Sequence, residues 1–160
     1  KLDALLGGAA VLQHVLDAVQ AAGLAAHLVR PREGSPGMGD SIARGVRASA
    51  QAAGWLVLPG DLPLVRPESL RRVAQALAAQ PVVVPWWQGR QGHPVGFGAQ
   101  CFEALAALSG DTGASAIVRA GRAAHKVADI ELDDPGIQMD IDTVADLERA
   151  EAWLRRRMAR

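Results

Sequence analysis

WLVLPGDLPLV, residues 55–65, is the stretch from which the fold is read. Trp55, Leu56, Val57 and Leu58 form a short apolar run without helical spacing, the signature of a strand buried in a parallel sheet. Pro59 cannot donate to a sheet ladder and Gly60 tolerates positive φ, so the strand is expected to stop there. Asp61 then falls just past the carboxyl end of a buried strand, where open α/β sheets bind ligands. Pro63 stiffens the loop, and Pro67 opens a helix carrying Leu70, Val73, Ala74 and Leu77. A carboxylate fixed at such a tip is placed to hold Mg²⁺, which takes oxygen ligands and bridges to phosphates. A Gly-Asp-x-Pro segment also serves plain solvated turns, and the residues alone leave both readings open.

Working outward, the 160 residues suffice for one domain with a real core. Lys plus Arg and Asp plus Glu both number 17, for a formal net charge of zero. That removes the electrostatic case for a nucleic-acid partner, which needs a basic excess or stripe. Arg155, Arg156, Arg157 and Arg160 cluster at the end of an expected helix, where cations suit the macrodipole. Cys101 is the only cysteine, so an intrachain disulfide and a thiolate zinc site are both excluded. It falls in an apolar helix start and reads as a structural thiol. No run approaches the roughly 18 apolar residues of a membrane span, and the N-terminus lacks a signal-peptide plan. A cytoplasmic chain with no membrane partner is expected.

From Ala9 to Ala22, Leu12, Val15, Leu16 and Val19 recur at helical spacing, after a Gly7-Gly8 loop and before a Gly23 C-cap. His14 lies off the stripe and reads as a surface residue. AAHLVR, 25–30, is a candidate strand. PREGSPGMG, 31–39, is a Pro/Gly loop leading to a helix with Asp40 or Ser41 as N-cap and Ile42 and Val46 on one face. Such a loop leaves N–H groups free to cradle an anion or a base edge, though many loops share the pattern. PVVVP, 81–85, is a second β-branched strand. In WWQGRQGHPVGF, 86–97, Gly92 and Pro94 fix the backbone around His93 and leave its imidazole projecting from a loop. Trp86 and Trp87 face opposite ways in a strand. Phe102, Leu105 and Leu108 mark another helix. GDTGASAIV, 110–118, offers Asp111 or Thr112 as the N-cap of a further one. HKVADIEL, 125–132, alternates as an exposed or edge strand. In MDIDTVADLERAEAWL, Asp140 and Asp142 share a face if that segment is extended. Thr143 caps a helix with Leu147, Ala150 and Leu154 inward, and Asp146 at N3 completes an approximate capping box.

GDLPLV with its helix, GRQGHPVGF, LSGDTGASAIV and MDIDTVADL, in this order and spacing, resemble the MobA-like nucleotidyltransferases, and most of all the molybdenum cofactor cytidylyltransferases. The resemblance covers roughly residues 1–20 and 37–154. It implies an α/β fold: a Rossmann-like three-layer sandwich around a mostly parallel sheet, of the nucleotide-diphospho-sugar transferase type. It implies transfer of a nucleoside monophosphate from CTP, or GTP, to a molybdopterin-type acceptor with Mg²⁺ and release of pyrophosphate, and a molybdoenzyme as receiver of the product. Residue by residue, Asp61 resembles the metal-binding aspartate and Asp142 the second carboxylate near metal and acceptor. Lys1 resembles the lysine that neutralises nucleotide phosphates. Gly37, Met38, Gly39 and Ser41, within PGMGDS, resemble the loop that meets base and ribose, with Gly60 beside Asp61. Gly92, His93, Pro94, Gly110 and Asp111 resemble the acceptor side. Phosphoryl transfer asks mainly for positioning and charge neutralisation, so the lack of a nucleophile motif agrees with this assignment.

The sequence departs from the family pattern twice. The family opens with a strand and a Gly-rich loop of the type LAAGxSxRxG ending in the lysine that Lys1 resembles; this segment is absent, and the native chain is expected to continue upstream of Lys1. Between Arg30 and Gly37 only PREGSP stands where the family usually has a helix and a strand. The rival readings are a guanylyltransferase or sugar-phosphate nucleotidyltransferase of the same fold, and a non-catalytic molybdenum cofactor-binding chaperone. Retention of Asp61 and Asp142 argues against the chaperone.

Overall fold

The computed structural model describes residues 1–31 and 37–160. The chain opens with a two-stranded hairpin, β1 (Leu5–Leu6) and β2 (Ala9–Ala10). Gly7 and Gly8 turn it at φ 58° and 91°, values a two-residue hairpin turn of this hand requires and glycine adopts without strain. Helix α1 (Val11–Ala21) follows directly, with Val11, Leu12, Val15 and Ala18 buried, and Gly23 leaves it at positive φ. His14 is not a free surface residue: its Nε2 lies 2.7 Å from the Leu6 carbonyl and ties α1 to the hairpin.

Residues 25–30 do not form the expected strand. Ala25, Ala26, His27 and Leu28 are exposed and find no sheet partner among the described residues, and an isolated strand cannot satisfy its own backbone. Helix α2 (Met38–Ala48) starts earlier than expected, with Gly37 rather than Asp40 or Ser41 as N-cap. Gly37 has φ 115°, open to glycine and strained for other residues, which fixes the helix start at that point. Strand β3 (Gly54–Val57) then leads through the Asp61 loop to α3 (Pro67–Ala76), where Pro67 stands in the first turn and Leu70 and Val73 are buried. β4 (Val82–Trp87), β5 (Arg90–Gln91) and β6 (Val95–Gly98) come next. A 3-10 turn at Ala99–Cys101 and the short α4 (Phe102–Ala106) follow. Helix α5 (Ser115–Ala123) begins after Ala114, so Asp111 and Thr112 lie in the preceding turn and do not cap it. β7 (Val127–Glu131), a 3-10 turn at Pro135–Ile137 and α6 (Val144–Met158) complete the chain. Thr143 and Asp146 form the reciprocal capping box expected at the start of α6.

The main sheet is mixed. β3 pairs antiparallel with β6, β6 antiparallel with β4, and β4 parallel with β7. β3, β4 and β7 therefore run in one direction, with β6 reversed among them and β5 folded back antiparallel on β4. The expected family of co-directional strands is present, but only the β4–β7 pair is parallel. β3 is half-buried throughout because, among the described residues, it is paired on one side only. β7 is the edge strand its alternation implies.

Side chains alternate between two layers, as the pleat demands. Val83, Leu56 and Trp87 join Ala18, Ala22, Leu70 and Val73 under α1 and α3. Val82, Val84, Trp55, Val57 and Trp86 pack with Val46, Leu105 and Val118 under α2, α4 and α5. The two tryptophans thus point to opposite faces. Each fully buried Val or Leu of this kind contributes about 1.5–3 kcal/mol. A third cluster, Leu6, Val11, Leu64, Ile141 and Ala150, seats α6 on the hairpin. Among the described residues no helix is long and apolar enough to cross a membrane. Every layer converges on one place: the carboxyl ends of β3, β4 and β7, where the loops bearing Asp61, Gln88 and Asp140 emerge.

Candidate functional site

Asp61 sits where the apolar strand has just been ended by Pro59 and Gly60. Its loop is rigid because Leu62, Leu64 and Val65 are buried immediately after it. The segment 132–142 crosses in front of this loop from the end of β7. Leu132 N–H bonds the Trp86 carbonyl at 2.8 Å, and Gln138 Nε2 donates to the Trp87 and Arg90 carbonyls. Ile141 N–H donates to the Asp61 carbonyl at 3.0 Å. Burial of Ile141 turns its neighbours Asp140 and Asp142 outward on the same side. The result is three carboxylates, Asp61, Asp140 and Asp142, each offering an oxygen within 4.8 Å of the others.

Lys1 reaches into this group from the opposite end of the chain. Its Nζ lies 2.9 Å from Asp61 Oδ2 and donates to Asp142 Oδ1. The segment is held there by bonds from Val11 N–H to the Ala4 carbonyl and from Leu12 N–H to the Leu2 carbonyl. The electrostatics follow from the packing. Hydrogen bonds to Asp142 and then Asp61 raise the Lys1 ammonium well above its ordinary value. Asp142 is lowered, first by its bond to Lys1 and then by one from Asp140. Asp140 is raised, by burial, by its hydrogen bond to Asp142, and by the charges of Asp142 and Asp61. Three carboxylates and one ammonium leave unmatched negative charge. An all-oxygen donor set with such an excess fits a hard divalent cation of the Mg²⁺ or Mn²⁺ kind.

His93 begins the turn into β6 and faces the same region. Its N–H bonds the Ile137 carbonyl at 2.9 Å, and a cis peptide bond joins it to Pro94. Gly92 lies so close to Ile137 that a Cβ there would stand 2.5 Å from the isoleucine Cγ1. The imidazole is half-buried and does not project freely as expected. Nδ1 is shut off from solvent and has no hydrogen-bond partner among the described residues. Burial lowers the ring's pKa, against the opposing charges of Asp61 and Asp140, so His93 is neutral at pH 7.

The remaining expected residues form a second group at the same edge of the sheet. Gly39 N–H bonds the Gly110 carbonyl at 2.9 Å, and a Cβ on Gly37 would collide with the Asp111 carboxylate. Gly37, Met38 and Gly39, expected to meet base and ribose, therefore adjoin Gly110 and Asp111, expected on the acceptor side. Met38 is exposed at the tip, and Ser41 lies one turn into α2. Pro36, the first residue of PGMGDS, lies outside the described residues. A Cβ on Gly60 would stand 3.3 Å from Leu12 and 3.6 Å from Leu2, so the glycine sets Asp61 close to the Lys1 segment. Asp140 is the site residue that sequence reasoning missed. The signal was present in its spacing from Asp142, but its approach to Asp61 depends on the Ile141 bond.

Comparison with known proteins follows this geometry. The sequence profile described as "MobA-like NTP transferase domain" matches residues 1–127. The purine catabolism protein PucB of Bacillus subtilis (strain 168) is 32% identical over 114 residues, 70% of this chain and 55% of that protein. The chain thus spans about half the length of this curated relative. Among solved structures, Rv0371c from Mycobacterium tuberculosis H37Rv, in complex with manganese, is 27% identical with TM-score 0.77, over 95% of this chain and 91% of that one. A 4-diphosphocytidyl-2C-methyl-D-erythritol synthase from Anaerococcus prevotii shares the fold alone, at 18% identity and TM-score 0.79 over 96% and 93% of the two chains.

Proposed function

Because the chain belongs to the MobA-like NTP transferase family, we propose that it transfers CMP from CTP to a molybdopterin-type acceptor in a Mg²⁺-dependent reaction that releases pyrophosphate. The observation that carries this reading is the meeting of Asp61, Asp140, Asp142 and Lys1 at the carboxyl ends of co-directional strands. A phosphate oxygen of the acceptor attacks the α-phosphorus of CTP, the bond to the bridging oxygen breaks, and pyrophosphate leaves. The attacking phosphate is already ionised, so no strong base is needed. Neutralising and aligning charge is the main task. Asp61 and Asp142, joined by Asp140, would hold the cation, which would neutralise phosphate charge. That the related Rv0371c was solved as a complex with manganese supports the reading that a divalent cation takes part.

Lys1 shares its carboxylate partners with any such cation. Its release from Asp61 and Asp142 leaves a flexible ammonium to meet the nucleotide phosphates. The surface of Gly37, Met38, Gly39 and Ser41 receives base and ribose, and Gly60 keeps Asp61 in place. Gly92, His93 and Pro94, with Gly110 and Asp111, receive the acceptor. His93 is neutral and so serves it as a hydrogen-bonding group, not as a charge. A molybdoenzyme is the expected receiver of the product.

The test is pyrophosphate release with CTP, GTP or ATP in turn, each with molybdopterin or with a sugar phosphate, in Mg²⁺. Release with CTP and molybdopterin is expected. Release only with GTP, or only with a sugar phosphate, moves the protein to another branch of the same chemistry; no release with any pair overturns the reading.

A further inference from the structure

Among the described residues, Asp134 is the one charged side chain to lie fully in the core, 1% exposed. A buried carboxylate is costly unless its oxygens are bonded. Those of Asp134 are: Oδ2 accepts from Arg66 N–H at 2.9 Å and from Ser69 Oγ at 2.6 Å, and Oδ1 accepts from Gly136 N–H at 2.8 Å. The donors come from two segments. Arg66 ends the loop that begins at Asp61 and Ser69 stands in the first turn of α3, whereas Gly136 belongs to the segment that carries Asp140 and Asp142. The two backbones touch at this point, since a Cβ on Gly136 would stand 2.1 Å from the Leu64 carbonyl oxygen. At the other end the same segments are tied by Ile141 N–H to the Asp61 carbonyl. One tie would leave a hinge; two fix both separation and twist.

We infer that Asp134 is a positioning residue, which sets the spacing of Asp61 from Asp140 and Asp142 and thereby the affinity of that trio for a divalent cation. The inference rests on the metal reading above. Asp134→Asn keeps the size of the side chain but turns an amide N–H₂ toward one of its three donors. The two segments then part, and the ligand oxygens are intact but misplaced. Outer-shell partners of metal ligands typically carry about tenfold to a hundredfold in metal affinity.

The experiment titrates the full chain with Mn²⁺ alone, without nucleotide, following the free ion by electron paramagnetic resonance well below the unfolding temperature. Asp134→Asn is expected to raise the Kd for Mn²⁺ about tenfold to a hundredfold, with the wild-type stoichiometry regained at excess Mn²⁺. Ser69→Ala, which removes one donor and keeps the carboxylate, is expected to raise it less, in the same direction. Asp61→Asn, the control, is expected to abolish binding. A wild-type Kd in folded Asp134→Asn, or in Ser69→Ala if the former does not fold, overturns the inference when Asp61→Asn has lost binding. No difference between wild type and Asp61→Asn overturns the metal reading itself, and the inference with it.

Discussion

Asp61→Asn replaces a charged oxygen by a neutral amide of equal size at the point where Lys1 meets the segment 132–142. Its effect on stability is small. The Lys1 ammonium stands 2.9 Å away, but the lysine side chain is 44% exposed. Ion pairs of that exposure contribute about 0–1 kcal/mol. The bond from Ile141 N–H goes to the backbone carbonyl of Asp61 and survives the substitution. Asp140 also loses one of the charges that raise it, which offsets part of the loss. In a chain of this size 1 kcal/mol moves Tm by about 2–4 °C, so Tm is expected to fall by no more than about 4 °C. Turnover responds on another scale. Losing one preorganised electrostatic contact in a transition state costs about 2.7–4 kcal/mol, a factor of roughly 10²–10³ in kcat. Pyrophosphate release with CTP, Mg²⁺ and molybdopterin, run beside thermal unfolding in the same buffer, separates the two scales. Near-normal turnover in a folded Asp61→Asn protein would refute the metal assignment.

Asp140 and His93 give two further tests. Asp140 has a raised pKa in the folded protein, so its stabilising contribution is present below the unfolded value and is lost as pH rises through the folded one. Asp140→Asn should therefore raise Tm at pH 7 in metal-free buffer, with the gain vanishing in acid, while weakening Mn²⁺ binding; an unchanged Tm at pH 7 counts against the crowded-carboxylate account. His93→Asn should raise the acceptor KM up to about tenfold, the scale of one hydrogen bond of ~0.5–1.5 kcal/mol, and leave the CTP KM and Mn²⁺ binding alone. Loss of Mn²⁺ binding in that variant would make His93 a metal ligand and its assignment to the acceptor wrong.

What could be read from the sequence was local. The run Trp55–Leu58 ended by Pro59-Gly60 gave both β3 and the placement of Asp61 at a strand tip, because the strand and its terminator adjoin. The Thr143–Asp146 capping box was legible for the same reason. Partner choice was not. Residues 25–30 have strand composition but, among the described residues, no neighbour to pair with, and nothing in 95–98 announces that β6 lies reversed between β3 and β4. α2 starts at the positive φ of Gly37 and α5 at Ser115 after Ala114, neither at the nearest capping side chain. Within the site, Asp61 and Asp142 carried motif signals. The role open to Asp140 and the enclosure of His93 arose from the path of residues 132–142, which no local pattern records.

The bridging position of Lys1 has a consequence for the order of assembly. Lys1 and Asp142 are 141 residues apart in the chain, and Arg66 and Asp134 are separated by 68. Contacts of such high contact order gain nothing until a long loop has closed, and closing it costs entropy in advance. The backbone bonds of the hairpin Leu5–Ala10 and of α1, by contrast, join near neighbours in the chain. The carboxylate partners of Lys1 arrive only when residues 132–142 have crossed the sheet. During synthesis β3, β4 and β6 would thus emerge before residues 132–142, and the acidic cluster would assemble only after that segment had crossed the sheet.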